Sequence, residues 1–215
     1  MDSRLSCSMI TRLPAVFVLG LLTACGTGAT GIGGGGGGSV SDSLHIVTGL
    51  TGVVQTSGSI TVDSTIFAGD QDATLPGLRA RGFLTFDLST IPAGKTIRTA
   101  KLKVIQSAVT GSPFSDLGTL VVDHLVFGNT LDSADFGQSA LGSAFATLSD
   151  SAGLGNRLAN VFQQVKADLQ AGRTVSQFRV RFSLRDGDTD AINDNVKLND
   201  IDDDPSPIII LTFNE

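Results

Sequence analysis

Apolar and polar side chains alternate along residues 81–104, RGFLTFDLSTIPAGKTIRTAKLKV. Such alternation is typical of half-buried β-strands. One face of each predicted strand is apolar, formed by Leu84, Phe86 and Leu88 on the first strand and by Ala100, Leu102 and Val104 on the second. Pro92 and Gly94 lie between the two runs, in the combination that tight turns use. The pattern therefore predicts a central hairpin.

Further strands are predicted on both sides of this hairpin. They cover residues 44–54, 60–67, 117–127, 178–185 and 208–213. The run 208–213 is almost continuously apolar, which predicts a central strand covered on both faces. Residues 129–153 are rich in Ser, Gly and Asp and are predicted to be mostly loop.

Residues 154–172, LGNRLANVFQQVKADLQAG, change to helical spacing. The apolar positions are three or four residues apart, as in an amphipathic helix: Leu154, Leu158, Val161, Phe162, Val165 and Leu169. Asn156 is the predicted N-cap, and Gly172 stands where a helix C-cap is expected. We expect this single late helix to cover one end of the core.

Composition supports an all-β fold. The 215 residues include 26 Gly and 6 Pro, and the apolar runs are short, which favours a turn-rich β-structure over a helical bundle. The prediction is a jelly-roll-like antiparallel β-sandwich over residues 44–215 with one short late helix. The formal net charge is −6, and phosphate binding requires a basic face, so nucleic acid is not an expected partner.

The first 24 residues resemble an export signal. Arg4 and Arg12 precede the apolar run 14–22, which is too short to span a bilayer as a stable helix. Initiation at Met9 instead of Met1 would give a more compact signal peptide, and the sequence leaves both starts open. We therefore assign residues 1–24 to a signal peptide, and the cysteine motif that follows it indicates the lipoprotein type.

The phrase Leu22-Thr23-Ala24-Cys25 resembles the bacterial lipobox, in which the cysteine becomes lipidated and N-terminal. The alternative is an ordinary exported protein with a chance cysteine. Lipid chains on Cys25 would bind the protein stably to a membrane. Residues 25–43 form a Gly/Ser-rich tether, and Gly26 in place of Asp is typical of lipoproteins sent to the outer membrane. The expected location is the bacterial cell envelope.

Three motifs of the predicted domain resemble those of a known family. They are RGFLTFDLSTIPAGKTIRTAKLKV, the late VFQQVKADLQAG and the terminal PIIILTF. Together they resemble the DNRLRE-type, disaggregatase-related domains, over roughly residues 44–215. The resemblance implies a jelly-roll sandwich of the carbohydrate-binding-module class, attached to a secreted or surface protein. The chain lacks the motif that names the family, keeping only Asp194-Asn195 of it, and it has neither Trp nor Tyr.

Three arginines on the strand near residue 180 are candidate ligand-binding residues. Arg179, Arg181 and Arg185 are spaced for one strand face, and a guanidinium group pairs well with the carboxylates of an anionic polysaccharide. The alternative is a solvated face neutralised by nearby acids. A neutral glycan is less favoured by composition, because most Phe residues occupy inward positions.

The loop 186–206 contains eight aspartates and a single base. Asp186, Asp188 and Asp190 begin it with the spacing of an EF-hand, but Ala191 and Lys197 replace the Gly and Glu that such a loop requires. An EF-hand is therefore excluded. A looser calcium site at the three aspartates remains open, with a solvated acidic loop as the alternative.

The sequence carries no motif for catalysis. His45 and His124 lie in strand-like runs, and the patterns of nucleophilic or metal-dependent hydrolases are absent from the sequence. We therefore predict a protein that is not an enzyme: an exported, lipid-anchored binding module for polysaccharide or envelope glycan. The alternative is a structural or adhesive surface lipoprotein with a protein partner.

Overall fold

The computed structural model describes residues 40–71, 77–199 and 206–214. Within these ranges the chain forms twelve strands: β1 (Val40–His45), β2 (Gly52–Gln55), β3 (Ile60–Val62), β4 (Ile66–Asp70), β5 (Arg79–Asp87), β6 (Ile97–Thr110), β7 (Leu120–Leu125), β8 (Gly142–Ser149), β9 (Gly155–Asn160), β10 (Val175–Phe182), β11 (Asn195–Leu198) and β12 (Ile208–Phe213). Two α-helices, α1 (Pro113–Asp116) and α2 (Phe162–Gln170), and a 3₁₀ helix (Ser133–Gly137) connect them.

The strands belong to one curled antiparallel sheet. Its main path runs β1-β12-β6-β11-β4-β5-β10-β7-β8, with β2 and β3 beside β5 and with β9 beside β6. The curl places the β12–β6 half over the β5–β10–β7 half, because side chains of both halves share one apolar cluster. The prediction of an all-β, jelly-roll-like sandwich with a short late helix is confirmed.

The main core contains the alternating residues that the sequence predicted. Phe86 and Phe178 come from one half of the sheet, Leu102 and Leu211 from the other, and all four are fully buried. The predicted inward residues Leu84, Leu88, Ala100 and Val104 belong to the same cluster. Burial of apolar area on this scale is the main favourable contribution to folding.

A second apolar cluster lies on the opposite face of β5. It consists of Val54, Phe83, Leu125, Phe127 and Leu131, with Phe136 and Ala140 packed against it. Phe83 meets Phe127 edge-on, with ring centroids 5.5 Å apart. Since alternate residues of a strand point to opposite faces, β5 is buried on both sides: Leu84 faces the main core and Phe83 faces this second cluster. The segment after β7, including the 3₁₀ helix, covers that second face.

The predicted central hairpin is wrong in one respect. The two strands form, as β5 and β6, but they do not pair with each other: β5 pairs with β10, β2 and β4, whereas β6 pairs with β12, β11 and β9. The turn at residues 91–94 therefore carries the chain from one half of the sandwich to the other. Alternation defines a strand and its buried face, but it does not identify the strand's neighbour.

The predicted late helix is shorter than expected. Residues 155–160 form β9, which pairs with β6 from Gln106↔Gly155 to Lys101↔Asn160. Ala159 is buried, whereas Leu154 and Leu158 are 63% and 54% exposed, so this part follows a two-residue period. Helix α2 begins only at Phe162, and Asn156 is not its N-cap. Gly172 does follow the helix with φ +69°, and its N–H donates to Leu169 O.

Several other boundaries differ from the sequence prediction. The predicted loop 129–153 contains the 3₁₀ helix and β8, which pairs with β7. The predicted strands 44–54 and 60–67 are each divided in two. Strand β12 lies between β1 and β6 as a central strand, but only Ile209, Leu211 and Phe213 are fully buried, so one of its faces is better covered than the other.

The predicted signal peptide and the lipid-attachment residue Cys25 lie outside the described residues. So does most of the predicted tether, and β1 begins at Val40, inside the tether's predicted range of 25–43. No helix among the described residues is long and apolar enough to cross a membrane.

Candidate functional site

A buried ion cluster occupies the sheet face that carries Phe83. Strand β7 supplies Asp123, which is 0% exposed, and β10 supplies Arg179, which is 5% exposed. Asp123 Oδ2 accepts from Arg179 Nη2 at 2.7 Å and from Arg181 Nε at 2.8 Å. The backbone N–H of Ala144 donates to Oδ1 of the same carboxylate at 2.7 Å. One buried acid thus binds two arginines of the neighbouring strand.

Burial opposes the charged form of both Asp123 and Arg179, but hydrogen bonds outweigh its effect on the pKa only at Asp123. Burial acts to raise the pKa of Asp123, but the hydrogen bonds from Arg181, Ala144 and Arg179 outweigh it, so the pKa lies below the ordinary 3.8. Burial lowers the pKa of Arg179 below its ordinary value, against the opposing effect of Asp123. Asp123 is therefore held ionised between its arginines.

The arginines also fix the 3₁₀ helix to the sheet. Arg179 Nη1 donates to Gln138 O at 2.8 Å and to Phe136 O at 3.2 Å. Arg81 donates to Phe136 O as well, and its guanidinium carbon lies 4.2 Å from the centre of the Phe136 ring. Arg81 is bound in turn by both carboxylate oxygens of Asp186. These contacts give the segment around Phe136 a defined position.

The structure separates the three predicted ligand-binding arginines. Arg179 and Arg181 share Asp123, and their remaining contacts are to backbone carbonyls and to Ser143. Arg185 lies beyond the end of β10, is exposed, and donates from Nε to Asp116 O at 2.8 Å. The sequence pattern placed them on one face but could not reveal Asp123, which lies on another strand.

A second buried polar cluster surrounds Asp168 of α2, which is 0% exposed. His124 Nε2 lies 2.9 Å from Asp168 Oδ2, Ser176 Oγ donates to the same oxygen at 2.5 Å, and Arg173 Nη1 donates to Oδ1 at 2.7 Å. The serine donates to the aspartate, whereas a nucleophilic triad requires it to donate to the histidine. The cluster joins α2 to β7 and β10. His45, in contrast, is exposed on β1.

Four aspartates converge where α1 meets the loop before β11. Asp116 ends α1, and Asp188, Asp190 and Asp194 belong to the predicted acidic loop. One carboxylate oxygen from each of the four lies within 4.8 Å of those of the other three. Asp194 is buried, Asp116 and Asp188 are half-buried, and Asp190 is exposed. We call these residues the four-aspartate cluster.

Asp70 of β4 holds the loop that carries this cluster. Its carboxylate accepts the backbone N–H of Asp194 at 2.6 Å and that of Asp188 at 3.0 Å. The loop also approaches β4 closely at Gly187, where an added Cβ would lie 2.8 Å from Asp70 Cβ. Short polar loops hold one shape only when their backbone groups are satisfied, and Asp70 satisfies two of them here.

The predicted metal residues are only partly brought together. Asp188 and Asp190 belong to the four-aspartate cluster, whereas Asp186 is paired with Arg81. Asp194 was counted among the loop's acids without being assigned a role, and Asp116 was missed because it lies on α1, far away in sequence. The remaining acids of the loop, Asp200 and residues 202–204, lie outside the described residues.

A polar groove lies between the β2–β3 turn and the 3₁₀ helix. It has a volume of about 400 Å³ and is lined by Gln55, Thr56, Ser57, Gly58, Ser133, Phe136 and Gly137. These residues supply an amide, three hydroxyls and one half-buried aromatic ring, and none of them is charged. The size is within the range of small-ligand sites.

No family model and no curated protein matches the chain. The resemblance to the DNRLRE-type domains therefore stays a prediction from the quoted motifs.

Proposed function

We propose that the chain is an exported, lipid-anchored, non-catalytic binding module for polysaccharide or cell-envelope glycan. The polar groove is the observation that carries this proposal. Sugars present many hydroxyls and one apolar ring face, so their sites combine polar side chains with an aromatic ring. The groove offers that combination in Gln55, Thr56, Ser57, Ser133 and Phe136.

The support beneath the groove favours binding without large rearrangement. Arg81 and Arg179 both donate to the backbone carbonyl of Phe136, and the guanidinium carbon of Arg81 lies 4.2 Å from the centre of the Phe136 ring. On the other wall, Gln55 Nε2 donates to Gln71 Oε1 at 2.6 Å. A site whose groups are already ordered loses less conformational entropy when its ligand binds.

The charge distribution favours a neutral glycan over an anionic one. Binding an anion at Arg179 or Arg181 would require their separation from Asp123, with which they form buried ion pairs. Leaving a buried charge without its partner is strongly unfavourable. The groove residues are uncharged, so the proposed ligand is a hydroxyl-rich neutral polysaccharide.

The test is a thermal-melt series of the chain with dextran, laminarin and alginate, the last as the anionic member. At about 100 times its dissociation constant, a ligand stabilises a protein by about 2.7 kcal/mol, which raises Tm by several degrees. We expect a rise with a neutral polysaccharide, and about tenfold weaker binding in Phe136→Leu, because the variant keeps an apolar side chain but loses the ring.

Phe114→Leu is the matched control for that experiment. Phe114 is also half-buried, but it packs against Phe182, with ring centroids 5.7 Å apart, and does not line the groove. Its replacement should leave the affinity unchanged. Equal weakening by both variants, or Tm values that no polysaccharide changes, would contradict the proposal.

The alternative function, a structural or adhesive surface protein, is favoured by one feature. Strand β3 pairs only with β2 among the described strands, and its Ile60 and Val62 are 38% and 42% exposed. Exposed edge strands can add a strand from another protein. Capture of an envelope protein that is lost in Ile60→Lys, without any polysaccharide effect on Tm, would favour this alternative.

Lipidation at Cys25 is tested directly. When the chain is produced in a bacterium fed with labelled palmitate, we expect label in the wild-type chain and membrane-bound protein after high-salt washing. Cys25→Ser should carry no label and should be released, because protein-linked acyl chains contribute about 0.8 kcal/mol per buried CH₂. The control is Cys7→Ser, which replaces the chain's other cysteine, within the predicted signal peptide, and should leave the label unchanged. Label in Cys25→Ser would contradict the assignment.

A further inference from the structure

No base among the described residues forms an ion pair with the four-aspartate cluster, although the side chain of Arg79 packs beside its loop at Gly187. Arg81, Arg173, Arg179, Arg181 and His124 form all the ion pairs among the described residues, and none of their partners is Asp116, Asp188, Asp190 or Asp194. Arg185 approaches the cluster but donates to the backbone carbonyl of Asp116. Like charges at this spacing repel each other strongly unless a cation lies among them.

Asp194 provides a second and independent observation. It is 1% exposed, and its Oδ1 accepts the backbone N–H of Ser112. Its Oδ2 is buried and accepts no hydrogen bond from any described residue. Buried polar atoms are almost always satisfied, and an ionised carboxylate without a full set of partners is among the costliest groups to bury. The carboxylate lies among Asp116, Asp188 and Asp190, so a cation bound there would satisfy this oxygen and also reduce the repulsion among the four acids.

The electrostatics of Asp194 agree with its geometry. Burial raises its pKa above the ordinary 3.8, and the charges of Asp70, Asp116 and Asp190 raise it further, against the hydrogen bond from Ser112. The four carboxylates are brought together by a loop that Asp70 holds in place through two backbone N–H groups.

The ligand chemistry selects the class of ion. The cluster offers carboxylate oxygens only, whereas zinc and copper sites favour His or Cys. Calcium binds oxygens at about 2.3–2.6 Å, so two ligands on opposite sides of the ion are about 5 Å apart. The separations within 4.8 Å fit that limit. Magnesium requires distances of about 2.0–2.1 Å and strict octahedral geometry, and it usually keeps several waters, so a site built from four protein carboxylates favours calcium.

We propose that the four-aspartate cluster, Asp116, Asp188, Asp190 and Asp194, binds a calcium ion. The ion would join α1 to the loop before β11. The proposal is independent of the glycan groove, and it is tested with calcium alone. It differs from the set that the sequence suggested, because it omits Asp186 and adds Asp116 and Asp194.

The experiment titrates calcium chloride into the chelator-treated chain by calorimetry and records Tm in parallel. We expect a dissociation constant of about 10⁻⁴–10⁻³ M, as for extracellular modules. A concentration of 100 times that constant should raise Tm by about 5–10 °C. Magnesium at the same concentration should produce a smaller rise. Calorimetry without binding heat up to 10 mM calcium would overturn the proposal.

The key variant is the double substitution Asp188→Asn with Asp190→Asn. Both side chains are at least partly solvent-exposed, so the fold should persist while calcium affinity falls at least tenfold. The matched control is Asp42→Asn with Asp150→Asn, which removes the same charge from exposed positions outside the cluster. An equal loss of affinity in both double variants would show nonspecific attraction and overturn the proposal.

The variant Asp194→Asn distinguishes a cation-binding role of this residue from a purely structural one. The amide oxygen can keep the bond from Ser112, and the new N–H groups can donate to the neighbouring carboxylates. Without calcium, Tm should therefore stay the same or rise, and the calcium-dependent rise should disappear. A variant with lower Tm in chelator and a preserved calcium effect would overturn the proposal.

Discussion

Replacing Asp123 with Asn is expected to lower the free energy of unfolding by about 3–5 kcal/mol, as when one partner of a buried ion pair is removed. The carboxylate is fully buried and accepts hydrogen bonds from Arg179, Arg181 and Ala144. The amide cannot neutralise two guanidinium groups, and its N–H₂ would face their donors. Urea unfolding followed by circular dichroism measures the loss.

Two comparisons test the explanation for this loss. Asp150→Asn makes the same change at an exposed position and should alter stability by no more than about 0.5 kcal/mol. Removing the whole cluster, with Asp123→Leu, Arg179→Met and Arg181→Met, should cost less than Asp123→Asn alone, because no buried charge remains unpaired. A triple variant less stable than the single one would contradict the argument.

The same residue predicts a pH dependence with a definite sign. The pKa of Asp123 is lower in the folded chain than its ordinary 3.8, so its stabilising contribution is present above pH 3.8. That contribution is lost as the pH falls through the folded-state pKa. The difference in unfolding free energy between the wild type and Asp123→Asn should be constant near neutral pH and decrease below about pH 3.8. A constant difference down to pH 2.5 would be inconsistent with this assignment.

Replacing Phe178 with Ala is expected to cost about 3–5 kcal/mol of stability, the range for removal of a fully buried aromatic side chain. Phe178 is 0% exposed. Its ring centroid lies 6.2 Å from that of Phe86, 6.1 Å from that of Phe145 and 5.7 Å from that of His124. These neighbours come from three other strands, which the sheet holds in place, so the cavity can collapse only partially.

Leu184→Ala is the control for the core substitution. Leu184 follows β10 and is 76% exposed, so its truncation should change stability by about 0.5 kcal/mol or less. Urea midpoints for the two variants give the comparison. If Phe178→Ala lost no more stability than Leu184→Ala, the placement of Phe178 in the main core would be wrong.

The sequence predicted what depends on local pattern. Alternation identified β5, β6 and β10 and the buried faces through Leu84, Phe86 and Leu102, because a half-buried strand requires a two-residue period. It did not predict the pairing of β5 with β10, since pairing depends on packing between distant segments. The error at residues 155–160 has another cause: Leu154 and Leu158 fit helical spacing, yet both are exposed beside the strand pairing with β6.

The candidate sites were also predictable only where a local sequence pattern marks them. The density of aspartates drew attention to Asp188 and Asp190, which do lie in the four-aspartate cluster. Asp116 could not be found, because a single acid at the end of a four-residue helix carries no sequence signal. The pairing of Arg179 and Arg181 with Asp123 was equally hidden, since the register between β10 and β7 brings them together. The groove depends on two turns that meet only in the folded chain.

The order of strands in the sheet has a consequence for how the chain reaches this fold. Strand β1 pairs with β12, and β5 pairs with β10, so much of the sheet joins segments distant in sequence. Closing such long loops costs entropy before any contact stabilises them, and domains dominated by distant pairings fold in milliseconds to seconds. A growing chain can form the short pairing of β2 with β3 early, whereas the strand that pairs with β1 among the described residues is β12, which is made much later. We therefore expect the β1 edge of the sheet to be completed late, after β12 has been synthesised.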